Sequence, residues 1–203
     1  MPGRIQDRVA LVTGASSGLG RSISLKLASE GAKIFLVDLY REPRSSTNKS
    51  TGKADDYNNR LIDSESTLSE LQRLYGSTYS AFAKADVTKS SDVETAVAKC
   101  VETFGRLDIL CCNAGISVES THPTPHGVHE LTESDWDKTM SINAKGVFLC
   151  NKYGIAQMLK QELLPNNPDR GWIVNTASIQ GLAAYYNTRT LAHFHLHFPH
   201  NQC

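Results

Sequence analysis

The chain has 203 residues, 40% of them hydrophobic, with 21 basic and 21 acidic side chains. This length suits one domain with one sizeable core, and the balanced charge argues against nucleic-acid or charged-membrane partners. No apolar run approaches the roughly 18 residues needed to cross a bilayer, and the first residues lack a signal-peptide core. Five cysteines without ligand spacing or a disulfide framework predict buried thiols in a cytoplasmic protein.

The most informative segment runs from Val9 to Gly20, where a short apolar stretch leads into a glycine-rich turn. It predicts a buried parallel strand, a turn, and a helix from Arg21 to Ser29. Glycines let the backbone approach a pyrophosphate, and the free N–H groups of a helix N-terminus favour its charge. Such a turn can also serve only to pack a helix on a strand, but the flanking pattern favours a dinucleotide site. The predicted cradle consists of Gly14, Ser16, Ser17, Gly18, Leu19 and Gly20.

A second apolar strand, Lys33–Asp38, ends in a carboxylate. In nucleotide-binding βαβ units, an acidic residue about 20 positions past the glycines accepts hydrogen bonds from the adenosine ribose hydroxyls. Because a carboxylate repels a 2′-phosphate, Asp38 favours NAD over NADP, although Arg41 and Arg44 could offer charge to a phosphate. The alternative is an aspartate that only opens a turn at the strand end.

Further motifs follow in a characteristic order: Asp86-Val87, Asn113-Ala114-Gly115, Asn143 and Ser178. Together with Thr13-Gly14-x-x-x-Gly18-x-Gly20 and Asp38, they make the chain resemble the short-chain dehydrogenase/reductase family from about residue 5 to about residue 187. The resemblance implies a Rossmann-type α/β domain, with a doubly wound parallel sheet between two helix layers, over residues 1–187. It also implies hydride transfer between a nicotinamide and a secondary alcohol or ketone, in a family whose members are usually homo-oligomers.

The resemblance assigns cofactor contacts to two of these motifs. Asp86 is expected over the adenine, with Val87 packed on its ring, although an aspartate there can also simply cap a helix or open a turn. In Asn113-Ala114-Gly115, the small residues let the backbone approach the cofactor ribose, and the asparagine side chain ties the turn to neighbouring strands.

The resemblance also defines a catalytic set, of which this chain carries only part. Asn143 is expected to kink a helix and to hold a water in the proton relay, and Ser178 to donate to the substrate oxygen where charge develops. A Tyr-x-x-x-Lys pair should follow, in which the lysine lowers the pKa of the tyrosine that exchanges the proton. Leu191 and His195 occupy those two positions. Neither side chain can perform that chemistry.

Two segments depart from the family pattern. Residues 41–66 are polar with almost nothing apolar to bury, which predicts a flexible insertion beside the adenine end of the site, with a partner-binding segment as the alternative. His126 and His129 lie in the loop after Gly115, where Pro125 and Gly127 disfavour a helix, so no metal site is predicted there.

The tail at 188–203 diverges abruptly. It holds four of the seven histidines, and alternating histidines on a strand could bind zinc or nickel, but out-of-frame or mis-spliced coding is the favoured interpretation. Tyr185-x-x-x-Arg189 copies the catalytic spacing too close to Ser178. We also expect the fold to lack the family's last strands and helices, with an incomplete subunit interface.

These observations predict an NAD-preferring oxidoreductase by lineage that is inactive or weak as this chain. Two alternatives remain open. The first is a nucleotide-binding pseudo-enzyme or regulatory partner of complete paralogues. The second is a non-functional truncated product.

Overall fold

The computed structural model of the protein describes residues 3–43, 65–118, 128–165 and 167–178. Most of the predicted insertion at 41–66 and the whole tail at 188–203 lie outside the described residues. The same holds for Leu191, His195, His126 and Tyr185.

Strands and helices alternate along the described chain. The strands are β1 Val9–Thr13, β2 Lys33–Asp38, β3 Ser80–Lys84, β4 Ile109–Cys112 and β5 Trp172–Asn175. The helices are α1 Gly18–Ser29, α2 Thr67–Tyr75, α3 Ser90–Phe104, α4 Glu133–Met140 and α5 Val147–Lys160. A short 3₁₀ turn, Val128–Glu130, precedes α4, and a π-helical segment, Ser141–Gly146, joins α4 to α5.

The five strands form one parallel sheet in the order β3-β2-β1-β4-β5. β1 is central and buried along its whole length, as its continuous apolar sequence predicts. Because all strands run the same way, their carboxyl ends share one edge of the sheet. The strand order reverses between β1 and β4, and open α/β sheets bind ligands at such a point.

The two faces of the sheet bury separate cores. Successive residues of a strand point to opposite faces, so Val9 and Leu11 join one core while Ala10 and Val12 join the other. The first core packs under α3 and α5, and the second packs under α1 and α2. This arrangement confirms the predicted Rossmann-type sheet between two helix layers.

Boundaries differ from the sequence-based prediction at α1 and before α5. α1 begins at Gly18 instead of Arg21, because Ser17 is extended and its carbonyl already accepts from the Arg21 N–H. The apolar pattern from Thr132 to Leu159 predicts a helix, which does start at a Thr132 cap, whose hydroxyl accepts from the Asp135 N–H at 3.1 Å. The π-helical segment then interrupts this helix at Asn143, where the family resemblance implies a kink.

Candidate cofactor site

A cleft of about 470 Å³ opens at the carboxyl edge of the sheet, where the strand order reverses. Most of the predicted site residues line it. They are Gly14, Ser17, Gly18, Leu19, Asp38, Asp86, Val87, Asn113, Ala114, Gly115 and Asn143. Ser16, Gly20 and Ser178 do not line the cleft.

The glycine turn is packed too tightly for side chains at two positions. Gly14 has a φ of +66°, and a Cβ there would lie 2.9 Å from the Ala114 Cα. A Cβ on Gly20 would lie 2.0 Å from the Gly14 carbonyl oxygen, so Gly20 is buried behind the turn instead of facing the cleft. The close packing brings the first turn of α1 against the loop after β4.

The Thr13 hydroxyl joins the end of β1 to the loop after β4. It accepts from the backbone N–H groups of Asn113 and Ala114, both at 3.0 Å, and donates to the Cys111 carbonyl at 3.4 Å. The backbone of this loop is therefore held at the bottom of the cleft.

The Asn113 side chain ties three strands together. Its Nδ2 donates to the Thr13 carbonyl at 3.2 Å, and its Oδ1 accepts from the Thr176 hydroxyl at 3.2 Å. These bonds connect the loop after β4 with the ends of β1 and β5, as the sequence predicts.

Asp38 stands between the end of β2 and the glycine turn. One carboxylate oxygen accepts from the Ser16 N–H at 3.0 Å, and the other accepts from the Leu39 N–H at 2.7 Å. The Ser16 hydroxyl donates to the Tyr40 carbonyl and strengthens the same junction. Asp38 thus performs the turn role raised as the alternative, while its half-buried side chain also borders the cleft.

Asp86 is held mainly by its own turn. Its Oδ1 accepts from both the backbone N–H and the hydroxyl of Thr88, at 3.0 and 2.7 Å, and Lys89 lies 3.8 Å from Oδ2. Burial raises the pKa of Asp86, but the Thr88 hydrogen bonds and the Lys89 charge outweigh it and hold the pKa below its ordinary value. The carboxylate borders the cleft as an anion.

Val87 is buried at the cleft wall. A Cβ on Gly146 would come within 2.9 Å of the Val87 Cγ2, so the π-helical segment approaches this side chain closely. Val87 is therefore part of the hydrophobic core, and part of its side chain also lines the cleft.

Asn143 holds the loop after β4 from the other side. Its Oδ1 accepts from the Ile116 N–H at 2.9 Å, and its Nδ2 donates to the Ile116 carbonyl at 2.8 Å. The asparagine predicted to carry a polar task inside a helix thus pairs with the backbone of a distant loop. It does so from the centre of the π-helical segment, which accounts for the break between α4 and α5.

Ser178 lies three residues past the end of β5 and is half-buried. Its neighbour Ala177 lines the cleft, whereas Ser178 itself does not. The positions at which the tyrosine and lysine are expected are outside the described residues.

The described lining of the cleft carries only negative formal charge. Among the described residues that line it, none is Lys, Arg or His, and two, Asp38 and Asp86, are carboxylates. A pyrophosphate would be bound by backbone N–H groups at the start of α1, which the glycine turn leaves accessible. The residues present therefore fit a nicotinamide dinucleotide: a glycine cradle for phosphates and a carboxylate for a ribose diol.

The four described cysteines are buried, as predicted. Burial, aided by the Asp108 charge, raises the pKa of Cys100 to about 12, and burial raises the pKa of Cys111 to about 11. A hydrogen bond with Cys150, together with burial, raises the pKa of Cys112. Within the described ranges, no cluster of three or more metal-ligating side chains occurs.

Several residues at the site were not singled out from sequence. Most of them adjoin a predicted residue in the chain, so neighbouring positions were the available signal, whereas Ser117, Val147 and Thr176 do not. Thr13 was part of the quoted motif but carried no assigned role. The unanticipated cleft-lining residues are Val37, Leu39, Ala85, Ile116, Ser117, Ile142, Val147, Thr176 and Ala177.

The sheet order and the two helix layers define a Rossmann-type α/β protein. The family model described as short chain dehydrogenase matches residues 8–63 and 57–190. The chain therefore belongs to the short chain dehydrogenase family. In the parts of the chain that the structure describes, no helix is both long and apolar enough to span a membrane.

Similar proteins cover almost all of this chain but extend well beyond its length. An uncharacterized oxidoreductase of Thermotoga maritima is 39% identical over 178 residues, which are 87% of this chain and 56% of the relative. Levodione reductase of Leifsonia aquatica is 35% identical over 184 residues, 91% of this chain and 57% of the relative. The chain thus spans a little over half the length of these relatives.

Two solved structures show the same fold. The crystal structure of a levodione reductase superimposes with a TM-score of 0.69 at 30% identity, covering 95% of this chain and 62% of the other. A short chain dehydrogenase/reductase from Burkholderia phymatum, in complex with NAD, has a TM-score of 0.71 at 24% identity, covering 95% and 56%.

Proposed function

We propose that this chain binds NAD(H) in the cleft and prefers it to NADP(H). The observation that carries the proposal is the charge of the lining: Asp38 borders the cleft, and none of the described lining residues is cationic. A ribose diol can donate to a carboxylate, whereas a 2′-phosphate would be repelled by its charge. The NAD in the Burkholderia phymatum structure is consistent with this choice.

The cofactor's parts match different sections of the cleft. The pyrophosphate would bind at the turn from Gly14 to Gly20, the adenosine ribose at Asp38, and the adenine beside Asp86 and Val87. The nicotinamide ribose would then lie along Asn113–Gly115. When bound, the nicotinamide accepts or gives up a hydride.

A titration of nicotinamide fluorescence with NADH and NADPH tests the proposal. We expect tighter binding of NADH, and equal or tighter binding of NADPH would overturn the preference. Asp38→Ala should narrow the difference in binding free energy between NADH and NADPH by about 1–3 kcal/mol, because one charged hydrogen-bonding group is lost. If Asp38 only supports the turn, Asp38→Ala should weaken the binding of NADH and NADPH equally. If its charge repels the 2′-phosphate, the variant should bind NADPH more tightly than the unchanged chain does.

We further propose that the family reaction, oxidation of a secondary alcohol or reduction of a ketone, is weak or absent in this chain. Ser178 would donate to the substrate oxygen, and Asn143 would hold a relay water in the region of the kinked helix. Leu191 and His195 occupy the places of the tyrosine and lysine, so the group that exchanges the proton is missing. General acid–base catalysis contributes about 10²–10⁴-fold, so its loss is measurable.

Turnover assays with a panel of secondary alcohols and ketones test this second proposal. Grafting the C-terminal part of a longer relative after Asn187, which supplies the tyrosine and the lysine together, should restore turnover. Substantial activity of the unchanged chain would contradict the proposal.

The presence of Leu191 and His195 in place of the tyrosine and the lysine favours one other function. In this alternative, the chain is a cytoplasmic nucleotide-binding partner of paralogues that carry the catalytic pair. Under this alternative, NADH binding persists without turnover, and the chain co-purifies with an active family member and changes its kinetics. Absence of any effect on active paralogues would exclude the regulatory role.

A further inference from the structure

Arg21 is a buried cation that the proposed function does not use. It follows Gly20 directly in α1, and only 7% of its surface is exposed. Its guanidinium donates to the Glu65 carbonyl at 3.2 Å, to the Thr67 hydroxyl at 3.3 Å and to the Glu70 carboxylate. Glu65 lies just before α2, and Thr67 and Glu70 lie in its first turn, so Arg21 connects the first turns of two helices.

Thr67 carries this connection into the glycine turn. Its hydroxyl, on a side chain that is almost completely buried, donates to the Ala15 carbonyl at 2.9 Å. Because a guanidinium only donates, the threonine oxygen must accept from Arg21, and its single proton is then directed to Ala15. Arg21 therefore sets the direction of the hydroxyl that holds the turn.

Ala15 is in the middle of the turn and is held from both sides. Its N–H donates to the Val37 carbonyl at 3.3 Å, and the adjacent Ser16 N–H donates to Asp38. The β2 side of the turn is thus anchored by backbone and Asp38, whereas Thr67 anchors it from α2. Three residues after Ala15, α1 begins and presents the N–H groups proposed to bind the pyrophosphate.

We propose that Arg21 and Thr67 are positioning residues for the pyrophosphate-binding turn. They touch no cofactor atom and act by fixing the Ala15 carbonyl, and with it the direction of the N–H groups at the start of α1. This inference rests on the proposed dinucleotide binding. It makes phosphate affinity depend on the docking of α2, an element outside the cleft lining.

Thr67→Val tests the inference, because valine keeps the shape and removes the hydroxyl. We expect the binding of NADH and ADP-ribose to weaken by about three- to tenfold, because the turn loses the hydrogen bond from Thr67 to the Ala15 carbonyl. Adenosine, which lacks the phosphates, should bind the variant and the unchanged chain alike. Thr67→Ser, which retains the hydroxyl, should restore affinity.

Ser66→Ala is the matched control. The Ser66 hydroxyl caps α2 by accepting from the Ser69 N–H at 3.2 Å, and it also shares a hydrogen bond with the Ser69 hydroxyl at 2.9 Å. Its loss should lower the melting temperature about as much as Thr67→Val does while leaving cofactor affinity unchanged. Equal weakening by both variants, or unchanged affinity in Thr67→Val, would overturn the inference.

Amide hydrogen exchange without ligand provides a second readout. Thr67→Val should accelerate exchange of the amides of residues 15–20, and Ser66→Ala should not. If the unchanged chain binds neither NADH nor ADP-ribose, the proposed function fails. The exchange of these amides still decides whether Thr67 holds the turn, and unchanged exchange would overturn that claim.

Discussion

At the scale of single residues, the shape of the site depends on side chains whose polar atoms are bonded to the backbone. The Thr13 hydroxyl uses its one proton and its lone pairs on three backbone groups, and Asn143 pairs with both polar atoms of the Ile116 backbone. These side chains shape the cleft by fixing the backbone, so their contribution to binding is indirect.

Gly20→Ala should destabilise the protein and weaken NADH binding. The new Cβ would lie 2.0 Å from the Gly14 carbonyl oxygen, a backbone atom that cannot move without opening the turn. We expect a loss of about 1–3 kcal/mol in the free energy of unfolding, measured by urea denaturation.

Gly105→Ala serves as the control for the glycine substitution. Gly105 has a φ of +85° at the end of α3 and nothing near its missing Cβ, so only the conformational cost of about 1–2 kcal/mol applies. Its NADH affinity should remain unchanged. Normal NADH binding by Gly20→Ala would contradict the close packing of the turn.

The pKa of Asp86 predicts a pH-dependent contribution to stability. Its folded-state pKa lies below the ordinary value of 3.8, so the carboxylate stabilises the fold above that pH. The contribution should be lost as the pH falls through the lower, folded-state pKa. The stability difference between the unchanged chain and Asp86→Asn should therefore be constant from pH 5 to pH 7 and shrink below about pH 4. A difference that grows on acidification would contradict this assignment.

At the scale of elements, the break between α4 and α5 is a tertiary feature. Apolar periodicity predicts a helix from Thr132 to Leu159, and the family resemblance adds a kink at Asn143. The π-helical segment Ser141–Gly146 places Asn143 against the loop after β4 and brings Gly146 against Val87. In this segment π-helical hydrogen bonding replaces the regular α-helical pattern, and Asn143 holds a loop that is distant along the chain.

Asn143→Ala should loosen that loop. Two hydrogen bonds to Ile116 are removed, and we expect a stability loss of about 1–3 kcal/mol with faster amide exchange at Ile116. Ser141→Ala, which removes a local hydroxyl bond to the Lys138 carbonyl, is the control and should leave Ile116 exchange unchanged. Protection of the Ile116 amide in Asn143→Ala would show that the loop is held by other contacts.

At the scale of the whole molecule, apolar side chains are exposed on the last described strand and on α5. β5 pairs only with β4 in the described sheet, and Val174 is 53% exposed. On α5, Phe148, Ile155 and Leu159 recur at helical spacing and are also exposed. Surfaces of this kind favour association with another chain.

We therefore expect the chain to self-associate or aggregate when expressed alone. Phe148→Glu with Val174→Lys should shift the population toward monomer in size-exclusion chromatography with light scattering. Leu74→Glu, which changes an exposed leucine on α2, is the control and should have no such effect. A sharp monomer peak for the unchanged chain would contradict the expectation.

The sequence by itself determined the first two buried strands, the glycine turn and most of the cleft residues, because buried parallel strands and glycine turns carry strong local patterns. The four buried thiols and the Thr132 cap were equally readable from local context. Only the tertiary structure decided the roles of Arg21, Thr67 and Thr13, and the backbone groups with which Asn143 pairs. Their partners lie from 27 to 101 residues away along the chain, and no local pattern specifies which distant carbonyl or N–H a buried side chain will meet.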